Sequence, residues 1–383
     1  MPKIAILAGE ASGDLIGGQL MSHLNSKIKN IEFIGVGGPE MQKNGLVSYF
    51  NYSELSVHGY LDALKKIFWL LSLRKKVIDY FLSEKPDIFI GIDAPDFNFG
   101  IEKKLKFNGI PTFHYVAPSV WAWREGRVFD IKENVNHLFA VFPHELKIFQ
   151  KAKVPVTFVG HPLANKIPLN PSLKKSREKL HLNKSKTIIT LLPGSRVSEI
   201  KYHLELMIDA AILINKELTW KKLNRAEFII PINSKVSYLH IQNILSSYSN
   251  KIKDIKPMIG HSHDAICSAN MVIAVSGTAT LEAALYKKPM IIVYRTSFLS
   301  WVLLKKMLLI PYIGLPNILL KRFIVPEFLQ NNATSEKISN KAVEILTDKK
   351  LQKHLKTKFK ELHWLLKKNS SELIYNKLTK YLK

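Results

Sequence analysis

At 383 residues with 46% hydrophobic content, the chain is long for one ordinary domain and apolar enough to bury two cores. Its single cysteine, Cys267, excludes an intramolecular disulfide and fits a reducing compartment. The net charge of +25 favours an anionic partner, but the basic residues are mostly dispersed lysines in an Ile- and Asn-rich chain, so charge alone assigns no nucleic-acid site.

The opening apolar run is too short for a signal peptide and reads as a first strand, Lys3 to Ala8. A small-residue loop, Gly9-Glu10-Ala11-Ser12-Gly13-Asp14, leads into a helix carrying Leu15, Leu20, Met21 and Leu24. Further strands are predicted over Glu32 to Val36, Ile88 to Ile92, Thr112 to Val116, His137 to Phe142 and Thr157 to Val159. Short strands separated by helical stretches imply a parallel, doubly wound sheet. In such sheets ligands gather at the carboxyl ends of the strands, which directs attention to the loops that follow them.

In those loops Glu10, Asp14, Asp93, Asp96 and His114 are available for acid–base work. Asp93 is the best placed, because it follows a buried strand directly and so meets the partly desolvated edge that suits a general base. It is equally readable as a cap for the next loop. Glu10 and Asp14 flank the Ser12-Gly13 turn, either to bind sugar hydroxyls or to cap the first helix. Tyr60 to Lys76 places Phe68, Trp69 and Leu70 between basic shoulders, which suits an interfacial helix or a buried core helix. Trp121 and Trp123 offer an aromatic wall, or pack a sheet edge.

The polar stretch 165–186 reads as a linker with a short helix, after which the strand pattern restarts. Thr187 to Leu192 is a continuous apolar run suited to a strand buried on both faces. Pro193-Gly194-Ser195 is a tight turn, and from Val197 the spacing of Leu204, Ile208, Ala211 and Ile214 predicts an amphipathic helix. A helix start beside Arg196 can hold a phosphate, although many such turns hold nothing. A second candidate follows the strand Met271 to Val275, where Ser276-Gly277-Thr278 opens a helix and Glu282 lies one turn on. That start offers N–H groups to a diphosphate, and Glu282 offers a carboxylate to a ribose diol. Alternatively it is a capped helix with a solvated glutamate.

Other strands are predicted over Glu227 to Ile232 and Pro289 to Tyr294. Lys305, Lys306, Pro311 and Pro316 interrupt the apolar stretch Phe298 to Leu320, so no clean membrane span emerges. The histidines form no metal-ligand motif, and His261 and His263 read as a helix-start pair. The layout is α/β, with an N-terminal domain over 1–164, a linker over 165–186, a second domain over 187–333 and helices over 334–383.

Taken together the strings resemble the lipid-A-disaccharide synthase family of GT-B-type glycosyltransferases. In the first half these are Gly9 to Asp14, Gly35-Val36-Gly37-Gly38-Pro39, Gly91 to Asn98, Tyr115 to Arg124 and Gly160-His161-Pro162. In the second half they are Leu191 to Arg196, Ser276 to Glu282, Leu315-Pro316-Asn317 and Val325 to Gln330. They run in the expected order from residue 4 to about Gln330, and their combination is specific where each alone is weak. Ala11 and Ala117 stand where hydroxyl residues are also familiar.

The resemblance implies two tandem Rossmann-like domains whose parallel sheets face a cleft, with a helical tail. It implies transfer of 2,3-diacylglucosamine from its UDP derivative to 2,3-diacylglucosamine 1-phosphate, giving a β-1,6-linked disaccharide 1-phosphate and UDP, with no cofactor. On the donor side it implies Gly194, Ser195, Arg196, Ser276, Gly277, Thr278, Glu282, Asn317 and Gln330. At the reacting centre it implies Asp93 and Glu10, and on the acceptor side Ser12, Gly13, Asp14, Asp96, Trp121 and Trp123. Work on acylated substrates implies a peripheral protein at the cytoplasmic face of a Gram-negative inner membrane, docked on anionic lipid through Phe68, Trp69 and Leu70. A UDP-sugar transferase acting on another lipid would share the second-half turns. A nucleic-acid binder would need a focused basic stripe with stacking aromatics, which dispersed lysines do not supply. Neither the oligomeric state nor the acyl-chain length is legible.

Overall fold

A computed structural model describes residues 1–51, 60–118, 127–232, 234–248, 250–251, 253–307 and 311–382. The chain divides into two compact units, Met1–Asn165 with Leu366–Lys383, and Lys166–Leu365.

In the first unit the described residues form a parallel sheet of seven strands: β1 (Lys3–Ala8), β2 (Glu32–Val36), β3 (Val47–Ser48), β4 (Ile88–Ile92), β5 (Thr112–Tyr115), β6 (His137–Ala140) and β7 (Val156–Phe158). Their order is β3-β2-β1-β4-β5-β6-β7. The middle strand β4 is apolar throughout because helices cover both faces. Every residue from Ile4 to Ala8 is fully buried. The order reverses direction between β1 and β4, which pair from Ile4↔Ile88 to Ala8↔Ile92, so the crevice at the end of those two strands is the topological switch point.

The second unit repeats the plan with β8 (Thr187–Leu192), β9 (Ala226–Ile232), β10 (Ile255–Ile259), β11 (Met271–Val275), β12 (Met290–Tyr294) and β13 (Glu327–Leu329). Their order is β10-β9-β8-β11-β12-β13, again parallel, with its switch point between β8 and β11. Of the stretch 165–186, residues 166–186 belong to this unit and are pinned to it by buried Arg177. Its guanidinium donates to the carbonyls of Ser268 at 3.0 Å and Lys184 at 2.8 Å, and to Asn270 Oδ1 at 2.7 Å.

The residues after Thr334 are shared between the units. Helix Ser335–Thr347 buries Ile338, Ala342 and Val343 in the core of the second unit. Helix Ser370–Leu378 lies on the first unit's helix Ala11–Lys27, where Glu372 meets His23 at 3.0 Å and Lys27 at 3.1 Å. Tyr381 sets its ring edge-on against Phe113 of β5, 5.1 Å between centroids.

Helix Tyr60–Glu84 is divided along its length. Leu73, Val77 and Phe81 recur every four residues and are buried, Val77 and Phe81 in one cluster with Phe89 and Ile101. Nearer its start Phe68 is 80% exposed, Trp69 41% and Leu71 46%, while Leu70 is half-buried. No described helix is long and apolar enough to cross a membrane.

Candidate active site

The second unit's switch point opens into a cavity of about 550 Å³ at the ends of β8, β9 and β11. That volume suits a small-molecule ligand. On one side β8 ends in the Pro193-Gly194 turn, where Gly194 has φ +117 and a Cβ would stand 2.4 Å from Glu199 Cβ. Only glycine lets helix Val197–Trp220 begin this close to the strand. Glu199, three residues past the helix cap, turns back to accept from the Ser195 amide at 2.8 Å and the Arg196 amide at 3.3 Å. Two amides just ahead of the helix are therefore engaged by the helix's own carboxylate. The Arg196 side chain stays 70% exposed, with Nη1 4.0 Å from Glu199 Oε1.

Across the cavity β11 ends at Val275 and helix Thr278–Leu285 begins at Gly277, a cap residue with no side chain to satisfy the first amides. A Cβ on Gly277 would meet nothing within 4 Å, so this helix start faces open space. Its orphan N–H groups and dipole make it the stronger of the two candidate anion sites. Ser276 is held by its hydroxyl, which donates to the Ile313 carbonyl at 2.8 Å.

Glu282 lines the same cavity one turn into the helix. Burial pushes its carboxyl up, with Lys166 opposing. Burial also pushes the nearby His263 ring down, helped by Lys166 and opposed by Asp264. Both shifts weaken the pairing of His263 Nδ1 with Glu282 Oε2, which stand 3.8 Å apart. The cavity thus brings together Gly194, Ser195, Arg196, Ser276, Gly277, Thr278 and Glu282. It also holds Glu199, His261 and His263, which sequence reasoning did not assign to a ligand. His261 caps helix Ser262–Ser268 from a left-handed position, φ +58.

Gln330 lies in a neighbouring cavity of about 580 Å³ beyond β12 and β13, among Thr296, Phe298, Trp301 and Leu329. Its side-chain amide pairs with the Thr296 backbone at 3.3 and 3.2 Å. Asn317 lines neither cavity. It is fully buried and donates to the Val325 carbonyl and Glu327 Oε1 while accepting from the amides of Ile324 and Val325, all at 2.8 Å. With its amide group spent on that loop, Asn317 is a clamp and not a donor contact. Glu327 is the loop's other anchor, accepting from the Ile313 and Gly314 amides at 3.0 Å each.

In the first unit Glu10 and Asp93 leave the sheet from the neighbouring strands β1 and β4, just past the paired Ala8 and Ile92. Glu10 is exposed and occupies the cap position of helix Ala11–Lys27 without a side-chain capping bond. Asp93 is half-buried in the left-handed region, φ +53, followed by Ala94 at φ +44. Two successive non-glycine residues there signal a backbone held by its surroundings.

Asp14, expected on the acceptor side, is 3% exposed. Its carboxylate accepts from the amides of Gly38 at 2.8 Å and of Glu40 and Met41 at 3.0 Å. It caps the short helix Pro39–Gln42 and has no access to a sugar. Ser12 is exposed, and Gly13 is buried where a Cβ would approach Ala8 Cβ at 3.2 Å. Asp96 is exposed in a shallow cavity of about 370 Å³ with Arg74, Lys103 and Asp130. Trp121 and Trp123 lie outside the described residues. Among the described residues no group of three or more His, Cys, Asp or Glu side chains could hold a metal ion.

Solved structures share this architecture across nearly the whole chain. S. aureus MnaA, in a UDP co-structure, matches with TM-score 0.64 at 13% identity, covering 100% of this chain and 97% of that one. The UDP-GlcNAc 2-epimerase from Neisseria meningitidis bound to UDP-GlcNAc also matches with TM-score 0.64 at 13% identity, covering 99% and 100%. Acinetobacter baumannii MurG matches with TM-score 0.58 at 13% identity, covering 99% and 100%. At such identities the likeness establishes the fold: a two-domain α/β architecture of GT-B type. Sequence relatives go further. The lipid-A-disaccharide synthase of Methylobacillus flagellatus is 45% identical, covering 97% of both chains. That of Chromobacterium violaceum is 42% identical, covering 96% of this chain and 94% of its own. The family model described as lipid-A-disaccharide synthetase matches residues 4–378, and the chain belongs to that family.

Proposed function

We propose that the chain transfers 2,3-diacylglucosamine from UDP-2,3-diacylglucosamine to 2,3-diacylglucosamine 1-phosphate, releasing UDP. The observation that carries this reading is the 550 Å³ cavity at the second unit's switch point, with an uncapped helix start, Arg196 and Glu282 on its walls. A nucleoside diphosphate matches those groups. The phosphates take the Gly277–Thr278 amides and Arg196, and the ribose diol takes Glu282. Two solved proteins of this fold hold UDP or UDP-GlcNAc.

An α-linked donor giving a β-linked product requires inversion in a single displacement. The bond between the sugar C1 and the diphosphate oxygen breaks as the acceptor 6-hydroxyl oxygen bonds to C1. Asp93 takes the hydroxyl proton, and negative charge collects on the departing UDP. Arg196 and the helix dipole at Thr278 stabilise that charge. Gln330, in the cavity beyond β12 and β13, is assigned to the donor side. Glu10, Ser12 and Gly13, together with Asp96, Trp121 and Trp123, serve the acceptor side.

Both substrates carry acyl chains, so the enzyme works at the cytoplasmic face of the inner membrane. The exposed Phe68 and Trp69, with half-buried Leu70, insert into the bilayer, and exposed Lys75 and Lys76 meet anionic headgroups. The deciding experiment supplies purified protein with the two named substrates and identifies products by mass spectrometry. A lipid disaccharide 1-phosphate with equimolar UDP is expected. Turnover only with a polyprenyl-linked acceptor would overturn the acceptor assignment.

A further inference from the structure

Beneath the Asp93 turn lies a set of polar side chains that the proposed chemistry does not use. Asn98, Glu102 and His114 are each fully buried. Asn98 and Glu102 stand one turn apart on helix Pro95–Phe107, and His114 sits on β5 opposite Gly91 of β4. Gly91 is the point they surround. A Cβ there would stand 2.4 Å from Glu102 Oε1 and 3.1 Å from Asn98 Cβ and Cγ. Glu102 Oε1 bonds His114 Nδ1 at 2.7 Å, and the Asn98 amide donates to the Asp93 carbonyl at 2.7 Å. The Asp93 amide in turn donates to the Tyr115 carbonyl at 2.9 Å, so both backbone groups of Asp93 are fixed.

We propose that Asn98 is a positioning residue that holds Asp93 in its left-handed conformation, with the Glu102–His114 pair bracing Asn98 from behind. Among the described residues, Asn98 Oδ1, Glu102 Oε2 and His114 Nε2 are buried with no hydrogen-bond partner. A cluster serving stability alone would do better with apolar side chains of the same shape. What the polar cluster supplies is a donor aimed at the carbonyl of Asp93. Without it the strained Asp93–Ala94 pair relaxes and the carboxylate leaves its place. Displacements of this order remove rate more than binding.

The inference rests on Asp93 being the base, and the experiment separates the two. In the full-length protein, kcat, KM and UDP affinity are measured for Asp93→Asn, Asn98→Ser and the double variant. Asn98→Ser is expected to lower kcat by about 10- to 100-fold, with donor KM and UDP affinity unchanged. The double variant should be no slower than Asp93→Asn, because both changes remove the same function. Glu102→Gln keeps the bond to His114 and should retain activity, whereas Glu102→Leu should fall with Asn98→Ser. Should Asn98→Ser fail to fold, Glu102→Leu replaces it in the cycle. Full activity in Asp93→Asn overturns the base assignment and this inference together. A slow Asp93→Asn whose loss multiplies with that of Asn98→Ser overturns the positioning role alone.

Discussion

Glu199 Oε2 lies 2.8 Å from the backbone nitrogen of Ser195, two residues ahead of the helix that carries Glu199. The carboxylate mimics the anion that the helix end suits, so a diphosphate entering the cavity meets a like charge there. Glu199→Gln keeps an acceptor for the Ser195 amide and removes the charge. UDP should bind several-fold tighter, by about 1 kcal/mol, with little change in Tm. Isothermal titration checks this, and weaker UDP binding would show that the carboxylate helps to organise the site.

Arg196 is the exposed cation beside that cap. Arg196→Ala should cost about 2–4 kcal/mol of transition-state stabilisation, as removal of one preorganised donor does. The loss should be larger in kcat than in donor KM, because charge on the diphosphate peaks as the bond breaks. Unchanged kcat in steady-state assays would move the role to the Thr278 helix start alone.

Asp93→Asn should lower kcat by about two to four orders of magnitude while UDP still binds. Glu10 is the competing carboxylate, one strand away and free of a capping bond. If Asp93→Asn turns over normally and Glu10→Gln does not, the base is Glu10.

Membrane contact is testable without disturbing the core, because the exposed apolar residues of helix Tyr60–Glu84 lie nearer its start than the buried ones. Replacing Phe68, Trp69 and Leu70 with Ser should abolish flotation with anionic vesicles. The fold should survive, since Leu73, Val77 and Phe81 carry the packing. High salt should weaken vesicle binding without eliminating it, as the charge contribution is screened and the apolar one is not. A folded triple variant that still floats would locate the contact elsewhere.

Acid should destabilise the first unit through two histidines. Burial holds the His161 and His137 rings down at about 4, with Lys377 adding to the effect on His137. In the unfolded chain such rings titrate near about 6.5. Between those values the unfolded state binds more protons, so stability is present above about pH 6.5 and is lost as pH falls toward about 4. Thermal scans across that range should show a falling Tm, and His161→Gln should flatten the slope. A Tm constant down to about pH 4 would contradict the sign.

The strands most legible in the sequence were those buried on both faces. β1, β4, β8 and β11 follow their apolar runs residue for residue. β10 escaped because Lys256 and Pro257 interrupt a half-exposed edge strand, and β13 because it is only three residues long. The small-residue turns that line the cavity were legible because glycine and a helix start are local features. Asp14 and Asn317 were not, since a polar side chain in a loop serves a ligand or a neighbouring backbone equally well until the fold supplies partners. Glu199 did carry a signal in its spacing from the helix cap, the pattern of a carboxylate turned back on its own helix.

The last helix belongs to the first unit, and that fixes an order of events during synthesis. Residues up to Asn165 leave the ribosome before the rest of this unit, yet helix Ala11–Lys27 is covered only when Glu372 and Tyr375 arrive. The intervening 200 residues, Lys166–Leu365, take about 10–40 s to translate at ordinary rates. Throughout that interval the earlier-made domain waits with an uncovered helix while the later-made one completes its sheet. The nascent chain is therefore most open to chaperones on its oldest part, and a stop codon that removes only the final helix injures the domain farthest from it in sequence.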